Sequence, residues 1–151
     1  MSGILTEQTI SSADKVAKRL HKEFVLIMQL PPIEGLRASE MKSLLSIGRM
    51  TCQRMRKFKS DRPPTSKLLT EIPGVSGLRE FLTALRREGT PDAVLWNADS
   101  AVDYFAHFLT NIGMSQTSLT TALSSHFEAT DPKHRLARRK KLYEAASSVL
   151  G

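Results

Sequence analysis

The sequence predicts an all-α fold, a helical bundle, on three observations. Apolar residues recur at spacings of three and four along most of the 151 residues, which is the period of one helical face. Aromatic residues amount to only 6%, and no apolar/polar alternation bounded by turn residues is sustained long enough for a strand. Proline pairs and isolated glycines divide the chain into stretches of helix length, as breakers between helices do.

The elements follow in order. Over residues 12–29, Val16, Leu20, Phe24 and Ile27 form one apolar stripe, with Ser12 as N-cap and Pro31-Pro32 as the stop. Ser39 caps a short helix running to about Leu45, and a second short helix spans about residues 49–58. Residues 59–65 read as a loop, because Pro63 and Pro64 together cannot continue a helix. After Pro73-Gly74, Val75, Leu78, Phe81, Leu82 and Leu85 mark an amphipathic helix with Ser76 as cap and Gly89 beyond its end.

Asn97 or Asp99 begins the next helix, which carries Val102, Phe105, Ala106, Leu109 and Ile112 and ends at Gly113. Trp96, the single tryptophan, then reads as a hydrophobic staple or an interdomain plug just ahead of that cap. Ser115 starts a further helix through Leu119, Ala122 and Leu123. The last runs from about Pro132, at an N1-like position, to Val149. The expected organisation is a helical domain over residues 1–90 and a second over 91–151. The abrupt end at Ser-Ser-Val-Leu-Gly suggests an N-terminal fragment of a longer protein.

Composition narrows the function. At 40% apolar and 25% charged the chain is ordinary for a folded soluble protein. The longest apolar run, residues 24–28, is far short of a bilayer span. There is no secretory leader pattern, and one cysteine, Cys52, excludes an internal disulfide framework. A cytoplasmic location with no membrane partner is the expectation. The formal net charge is +7, which suggests a polyanionic partner. Residues 31–67 carry nine basic side chains against three acidic ones. Residues 91–131 carry five acids and no Lys or Arg, and residues 132–151 return to a net +5. The acidic block could pair with a basic one in the same chain or in a second copy.

Within the first basic block, residues 39–45, 46–48 and 49–57 have the form of two short helices crossing around a three-residue turn. Met41, Leu44 and Leu45 serve the inner face of the first helix, Ile47 the turn, and Cys52 and Met55 the second helix. Cys52 is then a small buried apolar residue, with no His or acid at local spacing to make it a nucleophile. The outer face shows Arg49, Met50, Gln53, Arg54 and Lys57. These types suit a major groove: Arg to guanine, Gln to adenine, an apolar group to a thymine methyl, Lys to phosphate. Arg56 and Lys59 lie at the flank, where backbone contacts occur. Over residues 38–57 the sequence resembles the helix-turn-helix transcriptional regulators of bacteria. Lys42 stands where those proteins usually carry Ala, and Ser46 where they usually carry Gly. The resemblance implies that residues 49–58 enter the major groove of double-stranded DNA.

Residues 112–123 resemble the turn and second helix of the same motif, so the bundle would contain one helix-turn-helix unit at 38–58 and a second, similar unit at 99–125. Gly113 supplies the left-handed turn position, Met114 plugs the turn, Ser115 caps, and Leu119 and Ala122 face inward. Gln116, Thr117, Thr120, Thr121 and Ser124 would face out, able to hydrogen-bond to bases or phosphates. Phosphate neutralisation supplies most DNA affinity, and this block offers no cation unless the basic C-terminal helix folds back beside it. Packing or dimerisation is the competing role.

No catalytic constellation appears, so an enzyme is not expected. His21, His107, His126 and His134 are scattered without metal-ligand spacing, and neither metal nor cofactor is expected. His107 reads as a partly buried structural residue, and Asp99 with Asp103 as a solvated acidic face. The run at residues 135–141 reads as a second phosphate contact, a helix end or a linker. The function expected is a sequence-specific DNA-binding transcriptional regulator, with a homodimer favoured if half-sites are palindromic. The alternative is a helical interaction module that contacts RNA polymerase or a second copy and has only non-specific affinity for nucleic acid.

Overall fold

The computed structural model of the protein describes residues 5–59 and 63–130. Among these residues it is all-α, with six α-helices, two short 3₁₀ segments and no strand. The helices are α1 (Glu7–Ile27), α2 (Ala38–Leu45), α3 (Arg49–Met55), α4 (Val75–Arg87), α5 (Asp92–Ile112) and α6 (Gln116–Thr130). The 3₁₀ segments are Arg56–Lys59, directly after α3, and Ser66–Thr70. The helix expected from Pro132 and the basic run at 135–141 lie outside the described residues. No described helix is long and apolar enough to cross a membrane.

Helix α1 buries Ala13, Val16, Ala17, Leu20, Phe24 and Ile27 on one face, the stripe that the sequence marks. It begins a turn and a half before Ser12, however. Thr6 is the N-cap, its Oγ1 accepting from the N–H of Thr9 at 3.0 Å. The long face packs against α5 and both 3₁₀ segments. Phe24 stacks on Phe58 with ring centroids 5.0 Å apart, and Phe81 of α4 closes from the side at 6.3 Å. The Asp14 carboxylate accepts the N–H of Ser66 at 2.6 Å, which holds the second 3₁₀ segment to α1. That segment, capped by Thr65, is absent from the sequence reading, which ends its loop at residue 65.

The α2 and α4 starts also differ from expectation. Arg37, not Ser39, precedes α2, and the Glu40 carboxylate reaches back to the Arg37 N–H at 2.9 Å. That backbone hydrogen bond, reinforced by the Arg37 side chain, holds the Glu40 carboxyl below its ordinary range. Gly74, not Ser76, is the N-cap of α4. Helix α5 begins at Asp92 behind Pro91, not at Asn97 or Asp99. Trp96 is therefore inside the helix, 70% exposed, and neither staples nor plugs. One buried apolar cluster runs from Ala13 to Leu123 and includes side chains from every described helix.

Removing the ring at the centre of this cluster is costly. Phe58→Ala leaves Phe24 without its stacking partner in a fully buried site, and a loss of about 3–5 kcal/mol is expected. Chemical denaturation monitored by circular dichroism measures it.

Candidate nucleic-acid interface

Helices α2 and α3 are joined by Ser46, Ile47 and Gly48. Ser46 closes α2 in the left-handed region, at φ 56° and ψ 39°, where a residue without Cβ would sit more easily. Its N–H donates to the Lys42 carbonyl at 2.9 Å. The Leu45 carbonyl accepts from Arg87 Nη2 at 2.7 Å, so α4 supplies a donor that the end of α2 lacks. Ile47 is buried in the turn.

The inward residues of α3 fall where the sequence puts them. Cys52 and Met55 are fully buried. Burial, with the Glu80 carboxylate nearby, pushes the Cys52 thiol up from its ordinary pKa, which disfavours the thiolate. Helix α3 is shorter than expected: it gives way at Arg56 to a 3₁₀ turn. In 3₁₀ geometry positions three apart eclipse, so Met55 and Phe58 fall on the same buried side.

The outward set is Arg49, Met50, Gln53, Arg54, Arg56, Lys57 and Lys59, all exposed. Met50 is 61% exposed, an apolar side chain left in water. The described ion pairs all lie elsewhere: Arg37 with Glu40, Arg79 with Asp103, and Arg86 with both Asp92 and Asp99. Among the described residues, the five cations of α3 and its 3₁₀ extension therefore have no carboxylate partner. Asp99 and Asp103 are not a free acidic face, since Asp103 meets Arg79 at 3.1 Å and Asp99 meets Arg86. The acids of α5 are thus spent on α4 rather than on the basic block.

The second unit has the expected turn, with Gly113 left-handed at φ 65°. Met114 packs against the core, and Ser115 Oγ accepts from the Ser118 N–H at 3.1 Å. Leu119 and Leu123 are buried, Ala122 half-buried. Thr117, Thr121 and Ser124 are exposed, while Thr120 is half-buried. Gln116 is not on the exposed face expected for it. It is half-buried, its Oε1 accepting the N–H of Val75 at 3.1 Å, and it lies so close to Gly74 that a Cβ there would collide with the amide. Gln116 is a cap for α4 supplied from a distant helix.

His107, expected to be partly buried, is exposed and shares a mixed, mainly apolar cleft of about 270 Å³ with Gln8, Tyr104, Phe108, Asn111 and Ile112. No group of three or more His, Cys, Asp or Glu side chains among the described residues is placed to hold a metal. A second cationic surface escaped the sequence reading. Lys15, Lys18, Arg19 and Lys22 share the exposed side of α1, hidden in the sequence because residues 1–30 sum to only +1. The spacing of three, four and seven was the signal available.

No described protein family, curated protein or solved structure matches the chain.

Two outcomes test this geometry. Cys52 should react with a thiol reagent slowly in the native protein and rapidly in denaturant; fast native labelling would mean that α3 is rotated outward. Gln116→Ala should lower the urea midpoint by the equivalent of about 1 kcal/mol, and it should leave nucleic-acid affinity unchanged.

Proposed function

We propose that the protein binds double-stranded DNA through α3 and acts as a transcriptional regulator. The observation that carries this reading is the rotation of α3. With Cys52 and Met55 turned into the core, Arg49, Met50, Gln53 and Arg54 project outward, and neither arginine is held by a carboxylate among the described residues. Seven residues of α-helix are about 10 Å long, and the major groove of B-DNA, about 12 Å wide, admits such an element. Arg49 and Arg54 supply forks for guanine, Gln53 a donor and acceptor for adenine, and Met50 an apolar surface for a thymine methyl. Lys57, Arg56 and Lys59, past the end of α3, are left for phosphates. Helix α2, its C-terminal carbonyl held by Arg87, braces α3 from behind.

Thr117 and Thr120 of α6 have a weaker claim on DNA. The described part of that region carries acids and no cation, and Gln116 beside them is committed to α4. Their unit is read as packing.

A second reading, a helical module that binds another protein, is favoured by one observation. Pro32, Leu36 and Leu44 line an open groove along α2, together with Ser39, Glu40 and Ser43. Contact with RNA polymerase or a second copy of the chain would use such a face. Direct DNA binding expects retention on heparin with steep salt elution, and a gel shift that survives competitor DNA. A protein-binding module expects the shift to vanish with competitor.

The residue-level test uses a duplex selected from a random pool. Arg49→Ala or Arg54→Ala should each lose about 1–3 kcal/mol of specific binding with an unchanged circular dichroism spectrum, measured by fluorescence anisotropy. Unchanged affinity in both variants would refute the assignment of α3.

A further inference from the structure

From the exposed side of α1 we infer a second binding surface on this chain, one that takes the phosphodiester backbone of nucleic acid without regard to sequence. It does not rest on base reading by α3. Lys15, Lys18, Arg19 and Lys22 line a shallow, open depression of about 550 Å³ that reaches Asn97 of α5 at its edge. Glu23 is the one acid in that lining. The other acid of α1 near these cations, Asp14, four residues before Lys18, is engaged by the backbone N–H of Ser66, which its carboxylate accepts at 2.6 Å. The Arg19 guanidinium lies 5.0 Å from the Tyr104 ring centroid. This contact fixes its position over α5 and leaves its charge in place.

The spacing is unfavourable for the helix alone. Lys15 with Lys18, Lys15 with Arg19, Lys18 with Lys22, and Arg19 with Lys22 are like-charge pairs three or four residues apart, and they outnumber the opposite-charge pairs at the same spacing, Asp14 with Lys18 and Arg19 with Glu23. None of the four has a described ion pair. A string of anions relieves that repulsion. From Lys15 to Lys22 the helix rises about 10 Å, so three ammonium groups face a length of strand that carries two or three phosphates. Lysine, a compact point charge, suits phosphate without demanding a fixed approach.

The chemistry favours a nucleic-acid strand over a lipid surface. Membrane docking by a helix interleaves cations with apolar side chains that insert. Within residues 15–22 every apolar side chain (Val16, Ala17 and Leu20) is fully buried, and the exposed apolar side chains nearby, Leu26 one turn beyond Lys22 and Trp96 beside Asn97, flank the cations rather than interleave with them. The surface is a shallow, open face of α1 with Asn97 of α5 at its edge, and its cations run along the helix in a line that a strand can follow.

The test compares the full-length protein with Lys15→Gln/Lys18→Gln/Lys22→Gln. Three labelled probes are titrated over a range of salt: a random-sequence duplex, a single-stranded oligonucleotide, and vesicles containing anionic lipid. Removing three phosphate contacts should reduce the slope of log affinity against log salt by about 2–3 on the duplex, or about 2 on the single strand. Whichever nucleic acid shows the larger change is the form held. Affinity should fall at least ten-fold at low salt, and the melting midpoint should stay or rise as the repulsion is relieved. An unchanged slope on both nucleic acids overturns the inference, as does a loss confined to vesicles. The α3 reading fails separately: it requires a preferred sequence lost in Arg49→Ala or Arg54→Ala, whereas the α1 surface requires only the random-sequence slope.

Discussion

The stack of Phe24 on Phe58 is the contact on which the orientation of the cationic helix depends. Phe58 lies three residues beyond Met55, in a 3₁₀ turn that eclipses the two positions, and both are fully buried. Once Phe58 is seated against α1, Met55 must face the same core. Cys52, three residues earlier, follows on the α-helical face. The arginines of α3 are then turned outward by geometry, with no carboxylate needed to hold them. A polar contact at Phe58 would leave the rotation of a seven-residue helix poorly determined, because so short a helix has little stability of its own.

Charge is partitioned in the same way. Arg86, half-buried, takes Asp92 and Asp99 together, and those two contacts tie α4 to the start of α5. They also hold the Arg86 guanidinium more firmly protonated than usual. The exposed pair of Arg79 and Asp103 adds little by itself. Its effect is to occupy a third acid of α5. The acidic stretch of the sequence is thus paired with arginines from a segment whose own charges balance. The cations of α3 and of the 3₁₀ turn after it have no described carboxylate partner, a result that block sums could not foretell.

Periodicity made the apolar stripe of α1, the inward pair Cys52 and Met55, and the left-handed turn at Gly113 legible in the sequence. Each depends on local spacing alone. The starts of α3 and α6 were legible, at Arg49 and behind Ser115, but those of α1, α2, α4 and α5 were not, because polar caps compete. Ser12, Ser39, Ser76, Asn97 and Asp99 all have side chains suited to capping, whereas the actual caps at Arg37, Gly74 and Pro91 carry no capping side-chain bond. Pro91 followed by Asp92 was a usable signal for α5, with proline at the entry and an acid in the first turn. Gln116 failed for a tertiary reason. Its register on α6 points outward, but Gly74 lets the start of α4 come close enough to take its carbonyl. The cations of α1 were lost by summing charge along the chain when the relevant sum runs around a helix.

The two cationic surfaces differ in kind, and the difference bears on what each can do. Helix α3 offers two arginines with a glutamine between them, planar groups whose paired donors and acceptors need a matching edge at a fixed angle. Such groups gain most from bases, and they lose more when the edge is wrong. The α1 surface offers three lysines and an arginine already committed to an aromatic face. Ammonium groups on flexible stems gain from any phosphate within reach and discriminate little. Exchanging the residue types would make a poor reader of α3 and an over-selective clamp of α1. Under the proposed function, the division of arginine and lysine between two helices of one small bundle suits α3 to discrimination and α1 to retention.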